Sequence, residues 1–218
     1  MTLRAIQFGD YLTSDDGLIL HEKVVTPAVP KTNYISVPGR DGDLDMTEAL
    51  SGQVHYQDRP ASYTFLLTDG THEDRVALAT KITGLVHGKK LHIIDVDDYP
   101  DWYMVGRCRV EDVSFHGAYA ELKISAVCEP WRYGLYDQTR AVSVSGSTKT
   151  LLVDNRGYRS VLPTLTVIGQ ISIVYGNHSA ELETGTYILS DFVLSPGVVS
   201  ISVSGTGSLT VTYQGAIQ

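Results

Sequence analysis

The sequence predicts a mainly β protein in two parts: an N-terminal β-sandwich-like domain with one α-helix and a long hairpin, followed by a C-terminal antiparallel β-sandwich. Three observations carry this. Apolar residues recur at period two in short runs along most of the chain, helical spacing occurs in one stretch, and the composition changes after Glu129-Pro130-Trp131-Arg132-Tyr133-Gly134. With 218 residues there is room for two modest domains. The change of texture places their boundary within 134–140 and divides the chain into 1–137 and 138–218.

In the first part, Leu18-Ile19-Leu20 and Tyr34-Ile35-Ser36-Val37 are β-type runs. They are kept apart by Thr26-Pro27-Ala28-Val29-Pro30, whose prolines hold the connector extended or turned. Pro38-Gly39-Arg40-Asp41-Gly42-Asp43 has the composition of a loop. Residues 53–68 alternate, with Val54, Tyr56, Tyr63, Phe65 and Leu67 as in a half-buried strand, which Pro60 should interrupt at an edge or bulge. One helix follows. Thr71 and Asp74 have capping-box spacing, Glu73 and Asp74 sit near the positive end of the dipole, and Val76, Ala79, Ile82 and Val86 recur at helical spacing. Gly88 and Lys89-Lys90 suit its end. Leu91-His92-Ile93-Ile94 resumes as a strand, Asp95 to Asp101 form an acidic turn, and strands over about 102–114 and 118–127 make the long hairpin around His116-Gly117-Ala118.

From residue 138 onward Ser, Thr, Val and Gly dominate, with apolar runs at 141–145, 149–153, 164–168, 171–175, 180–183, 186–189, 198–204 and 208–213. Turn formers divide most of them, among them Ser145-Gly146, Asn155-Arg156-Gly157, Gly176-Asn177, Ser195-Pro196-Gly197 and Gly205-Thr206-Gly207. Many short strands at such spacing predict an antiparallel sandwich.

Hydrophobic residues make up 43% of the chain and charged ones 19%, and no apolar run approaches the roughly 20 residues of a membrane helix, so no membrane insertion is expected. The first ten residues, Met1 to Asp10, lack the basic flank and apolar core of a secretory leader, which predicts a protein that stays where it is made. The net charge of −8 resides in residues 1–137, with 13 basic and 21 acidic side chains, whereas 138–218 hold four of each. An acidic first part is a poor binder of nucleic acid but suits a conduit wall past which DNA slides without sticking. Two cysteines, Cys108 and Cys128, do not make a disulfide framework, and we expect reduced thiols. A hairpin pivoting near His116-Gly117 would set Cys108 opposite about residue 124.

Candidate chemistry is sparse. Seven histidines are scattered without metal spacing, and Asp41-Gly42-Asp43-Leu44-Asp45 begins like a calcium loop but has Gly52 where the bidentate Glu belongs. Asp95, Asp97, Asp98 and Asp101 crowd one turn, where carboxylates could hold a cation, act as acid and base, or simply be solvated. Serine lacks a G-x-S-x-G elbow, and Gly39 and Gly42 lack the Lys and helix start of a phosphate loop. No catalytic set and no cofactor is expected. Trp102, Tyr103, Trp131, Tyr133 and Tyr136 could stack on sugars or pack an interface.

Two segments carry a resemblance. Val37-Pro38-Gly39-Arg40-Asp41-Gly42-Asp43-Leu44-Asp45-Met46-Thr47 with Tyr56-Gln57-Asp58-Arg59 looks like the region near the start of the distal tail proteins of siphophages. Ile94-Asp95-Val96-Asp97-Asp98-Tyr99-Pro100-Asp101-Trp102-Tyr103-Met104-Val105-Gly106-Arg107, with the later Cys128-Glu129-Pro130-Trp131-Arg132-Tyr133, is similar to that family's acidic turn, aromatic-Gly-Arg strand and closing segment. The resemblance implies a non-enzymatic virion protein, assembled in the host cytoplasm, six copies of which form a ring at the distal end of the tail. Its partners would be the tail tube protein, the tail-tip hub protein and a receptor-binding protein, with DNA passing through the lumen. It also implies a galectin-like C-terminal sandwich facing outward. Arg40, Asp41 and Arg59 are candidates for fixing the loop or a neighbouring subunit through charge-assisted hydrogen bonds, with Asp45, Arg107 and Trp131 beside them.

Two rivals stand against this. A carbohydrate-binding module would use aromatics of the second domain, which offers Tyr158, Tyr175, Tyr187, Tyr213 and Phe192 and no Trp. A hydrolase would use the Asp95 to Asp101 carboxylates.

Overall fold

A computed structural model of the chain describes residues 4–218; Met1 to Leu3, the start of the segment read above for a leader, lie outside the described residues. The chain forms two compact units, one reaching to Arg132 and including Gln218, the other Tyr133–Ile217. This division falls a little before the expected 134–140, inside a continuous strand, because Gly134 already donates its N–H to the Gly215 carbonyl of the second unit at 2.9 Å.

The first unit contains β1 (Ile6–Phe8), β2 (Tyr11–Leu12), a 3-10 turn over Thr13–Asp16, β3 (Ile19–Val25), β4 (Tyr34–Ile35), β5 (Leu44–Asp45), β6 (Arg59–Leu67), α1 (His72–Val86), β7 (Lys90–Asp95), β8 (Trp102–Phe115) and β9 (Ala120–Gly134). Seven of the strands make one antiparallel sheet in the order β2-β1-β7-β8-β9-β6-β3. Period two decides its faces. Ala61, Tyr63, Phe65 and Leu67 of β6 and Ala120, Leu122, Ile124, Ala126 and Cys128 of β9 all turn inward. Burying each of the larger ones contributes about 1.5–3 kcal/mol. The sheet curls over them: Phe8 on β1 meets Tyr63 edge-on at 5.5 Å, although β1 and β6 lie four places apart in the strand order.

The helix has the expected capping box, with Asp74 N–H donating to Thr71 Oγ1 and Thr71 N–H to the Asp74 carboxylate. Its buried face is Arg75, Ala79, Ile82 and Val86, so Val76, expected inside, is replaced there by an arginine. Arg75 reaches the core side because its guanidinium finds two carbonyls, Gly70 at 2.7 Å and Gly117 at 2.6 Å, and so ties the helix start to the hairpin tip. Among the described residues no helix is long and apolar enough to cross a membrane.

Pro60 does not interrupt its strand. Residues 53–58 stay outside the sheet, and Pro60 is the second residue of β6, its carbonyl accepting from the N–H and hydroxyl of Thr26. In an antiparallel strand the N and O of one residue face the same neighbour, so the missing N–H faces the side where the β3 ladder has already ended at Val25–Ala61. The hairpin turn closes by His116 N–H to the Tyr119 carbonyl, so the pivot lies a residue or so beyond the expected one. Cys128 Sγ lies against Gly106. Both cysteines are buried and free, and burial pushes the Cys108 thiol up to about 12 and the Cys128 thiol to about 11.

The second unit holds β10 (Gln138–Ser145), β11 (Lys149–Asn155), β12 (Thr164–Tyr175), β13 (His178–Leu182), β14 (Gly185–Tyr187), β15 (Gly197–Tyr213) and β16 (Ala216–Ile217). Two pairs of expected short strands are single long ones, β12 and β15, and Gly205-Thr206-Gly207, read as a turn, lies inside β15. The first half of β15 pairs with β11 and the second with β10, while β12 pairs with β14 and then with β13. One sheet is thus folded along a line where Gly169 faces Gly207. A Cβ on Gly207 would lie 2.1 Å from the Ile168 carbonyl, and its φ of +151° suits glycine alone. The fold encloses Leu165, Val167, Ile171, Ile173, Ile201, Val203, Leu209 and Val211, all of odd number and therefore on one face.

A methyl group on Gly106 would meet Cys128 Sγ at 2.6 Å. We expect Gly106→Ala to cost roughly 1–3 kcal/mol in urea unfolding, and Cys128→Ala in the same chain to recover part of it, a coupling that a double-mutant cycle measures.

Candidate functional site

The acidic turn is spent on the protein itself. Lys23, on the outer strand β3, reaches the carboxylates of both Asp95 and Asp98. Asp97 accepts the Ala5 N–H at 2.8 Å, and the Asp98 N–H caps Asp95 at 3.1 Å. These bonds join β3, the last strand of the order, to the end of β7 and to the residue before β1. No group of three or more His, Cys, Asp or Glu side chains among the described residues is arranged to hold a metal ion. Hydrogen bonding and then the charge of Lys23 hold the Asp98 carboxyl below its ordinary range. Lys23 is itself raised, because its bonds to Asp95 and Asp98 outweigh the desolvation that pulls it down. Lys23 escaped the sequence reading, since nothing local links it to a turn 72 residues away.

Arg59 and Arg132 form the second feature. Arg59 is 2% exposed, being of the same parity as Ala61 and Tyr63, and its Nε and Nη2 have no hydrogen-bond partner. Burial, then the nearby Arg132 charge, lowers its affinity for its proton. Arg132 lies 4.1 Å over the Tyr99 ring, and burial pushes the unpartnered Tyr63 phenol far above its usual range. Arg59 thus belongs to the interior, and among the described residues it makes no ion pair with Asp41.

Arg40 and Asp41 are exposed on an arm, residues 29–57, that leaves the sheet between β3 and β6. The arm is held by its own backbone: Gln57 N–H to Val29 carbonyl at 2.8 Å, Lys31 N–H to His55 carbonyl at 2.7 Å, and the β4–β5 ladder of Tyr34 with Asp45 and Ile35 with Leu44. Asp45 closes the next turn by accepting the Thr47 N–H at 2.9 Å, and hydrogen bonds from Thr47 hold its carboxyl below the usual range. Trp131 meets Tyr56 edge-on at 5.4 Å and so braces the arm's root on β9.

Arg107, the last of the expected residues, is exposed and donates to the Gly88 carbonyl at 2.7 Å, just beyond the helix. It lines a groove of about 660 Å³ on the outer face of the sheet, with Lys90, Val105, Val127 and Glu129. Lys90 pairs with Glu129 at 2.7 Å.

Two outcomes follow. The unpartnered Arg59 donors are costly, so Arg59→Met, which keeps the stem and removes the charge, should match or exceed the parent in stability. Arg59→Ala should lose about 1–3 kcal/mol, read from denaturant midpoints. The depressed Asp98 value means that the folded state protonates later than the unfolded chain. The Lys23 pairing therefore stabilises above the ordinary carboxylate value of about 3.9 and fades as pH falls through the lower folded value. Lys23→Met should flatten the fall of melting temperature across that acid window.

No protein-family model matches the chain, and no curated protein matches it. Among solved structures it is similar to the Dit (gp 19.1) protein of phage SPP1, described as a paradigm of hub adsorption apparatus in Gram-positive infecting phages. That likeness has a TM-score of 0.71 at 14% identity and covers 98% of this chain and 99% of the other. A looser likeness, TM-score 0.45 at 7% identity, links it to the phage P2 baseplate in its activated conformation with Ca, over 97% of this chain and 98% of that one. Over nearly its whole length, both units included, this chain has the fold of the SPP1 distal tail protein.

Proposed function

We propose that this chain is a structural protein of a long-tailed phage, a hexameric ring that joins the tail tube to the tail-tip or baseplate complex. The observation that carries the reading is the likeness to SPP1 Dit over both units, which covers 98% of this chain and 99% of that one. The first unit is the ring-forming part. Its excess of acidic side chains keeps DNA from adhering as it passes the lumen. The second, galectin-like unit faces outward at the distal end of the virion, where a receptor-binding protein and the tail-tip hub are its neighbours.

The absence of catalysis in this reading has a positive support. Asp95, Asp97 and Asp98 are all engaged by groups of the same unit, so their oxygens already serve the fold. A sugar-binding role for the second unit has less to work with. Phe192 and Tyr213 are buried, Tyr175 and Tyr187 donate their hydroxyls to backbone carbonyls within the unit, and Tyr136 and Tyr158 are the exposed aromatics among its described residues.

Purified chain should form closed particles of six-fold symmetry in negative-stain images, with a solution mass of six subunits by light scattering. A chain that remains monomeric at every concentration would remove the ring, and saturable binding on a glycan array would favour the sugar-binding alternative.

A further inference from the structure

Two cations lie in the interior of the first unit with no acid of the chain beside them. Arg59 is 2% exposed and Arg132 is 9% exposed. The β6–β9 ladder sets Arg59 opposite Cys128, and Arg132 stands four residues farther along β9 on the same inward parity. A guanidinium keeps its charge at every pH at which the chain is folded. Taking such an ion out of water costs more than hydrogen bonds return, unless an opposite charge goes with it.

The chain supplies no such charge. None of the ion pairs among the described residues includes Arg59 or Arg132, and Arg59 Nε and Nη2 have no acceptor. The side chains that share this interior with Arg59 are Arg132, Cys128, Tyr63 and Tyr99. Burial pushes the Cys128 thiol up to about 11 and the Tyr63 phenol far above its usual range, so both are neutral at pH 7. Tyr99 offers Arg132 the face of its ring at 4.1 Å, an attraction that is no substitute for a full negative charge. Asp95 is the buried carboxylate of the unit, and its two oxygens already take Lys23 and the Asp98 N–H.

We propose that Arg59 and Arg132 hold a small inorganic anion of chloride's size inside the first unit, with Arg59 Nε and Nη2 as its donors and Arg132 as the second charge. Burial selects the class of ligand. A carboxylate of another protein or a nucleic-acid phosphate has no approach to a group that is 2% exposed, whereas a single-atom ion can be enclosed as the strands close. A water molecule would accept from the Arg59 N–H groups but leave both charges uncompensated. The ion joins the first residue of β6 to the far end of β9, where Trp131 already meets Tyr56, and so makes the seating of the arm's root depend on anion supply. This inference goes beyond the ring reading and does not rest on it.

The test follows the melting of the first unit by tryptophan fluorescence, since both tryptophans, Trp102 and Trp131, belong to it. Chloride is raised at constant ionic strength against gluconate, an anion too large to be enclosed. The parent's melting temperature should climb by about 3–6 °C for each tenfold rise in chloride beyond half-saturation, because a ligand of the folded state stabilises with the logarithm of its concentration. Bromide should act in the same way. Arg59→Met, expected to start level with the parent or above it, should stay flat, as should Arg132→Met, while Arg140→Met, at an exposed position of the second unit, should respond as the parent does. Crystals of the parent soaked in bromide should show an anomalous peak beside Arg59 Nε and Nη2, a measurement that needs no variant to fold. A melt that is the same in chloride and gluconate overturns the site, and so does a chloride response that Arg59→Met retains or a bromide map without a peak at Arg59. None of these outcomes bears on the ring reading, which turns on particle symmetry and mass.

Discussion

The ladder between β6 and β9 is the constraint on which the first unit depends. Tyr63 lies opposite Ile124 and Phe65 opposite Leu122, so one register decides which side chains of both strands enter the core. A slip of one residue would turn Ser62, Thr64 and Leu66 inward and expose the aromatic set. The same parity carries Arg59 into the interior, where two of its donors find no acceptor, and a cation there is the cost of keeping the strand in register to its first residue. It also sets where the arm departs, because the β3 ladder ends at Val25 opposite Ala61 and the chain between them has no further sheet to join.

Closure of the curled sheet depends on groups far apart in the chain. Lys23 and the acidic turn connect the last strand to the end of β7, and Phe8 against Tyr63 fills the space between them. Carboxylates that in isolation resemble a cation site are thereby converted into a structural tie.

The second unit reaches a sandwich by another route. Its long strands β12 and β15 are bent on themselves at facing glycines, so that each contributes to both layers and the apolar odd-numbered residues meet across the fold line. Tyr213 and Asn155 bind backbone carbonyls within that unit, which satisfies the polar groups carried into its core.

The sequence by itself determined the β-rich class, the single capped helix, the long hairpin and the change of character near residue 134, because period two, helical spacing and capping are local patterns. It also marked the acidic turn and the Arg40-Asp41 loop as unusual, without saying what either does. Tertiary structure decided the rest. Gly205-Thr206-Gly207 has turn composition whether it reverses a chain or bends a strand, and the opposing Gly169 settles which. Lys23 is an ordinary strand lysine until the sheet curls and brings Asp95 and Asp98 to it. Arg59 reads as a partner for the loop or a neighbouring subunit, and register places its side chain inside. Each of these turns on a partner distant in the chain, and the free energy of such a contact exists only once folding has brought the two together.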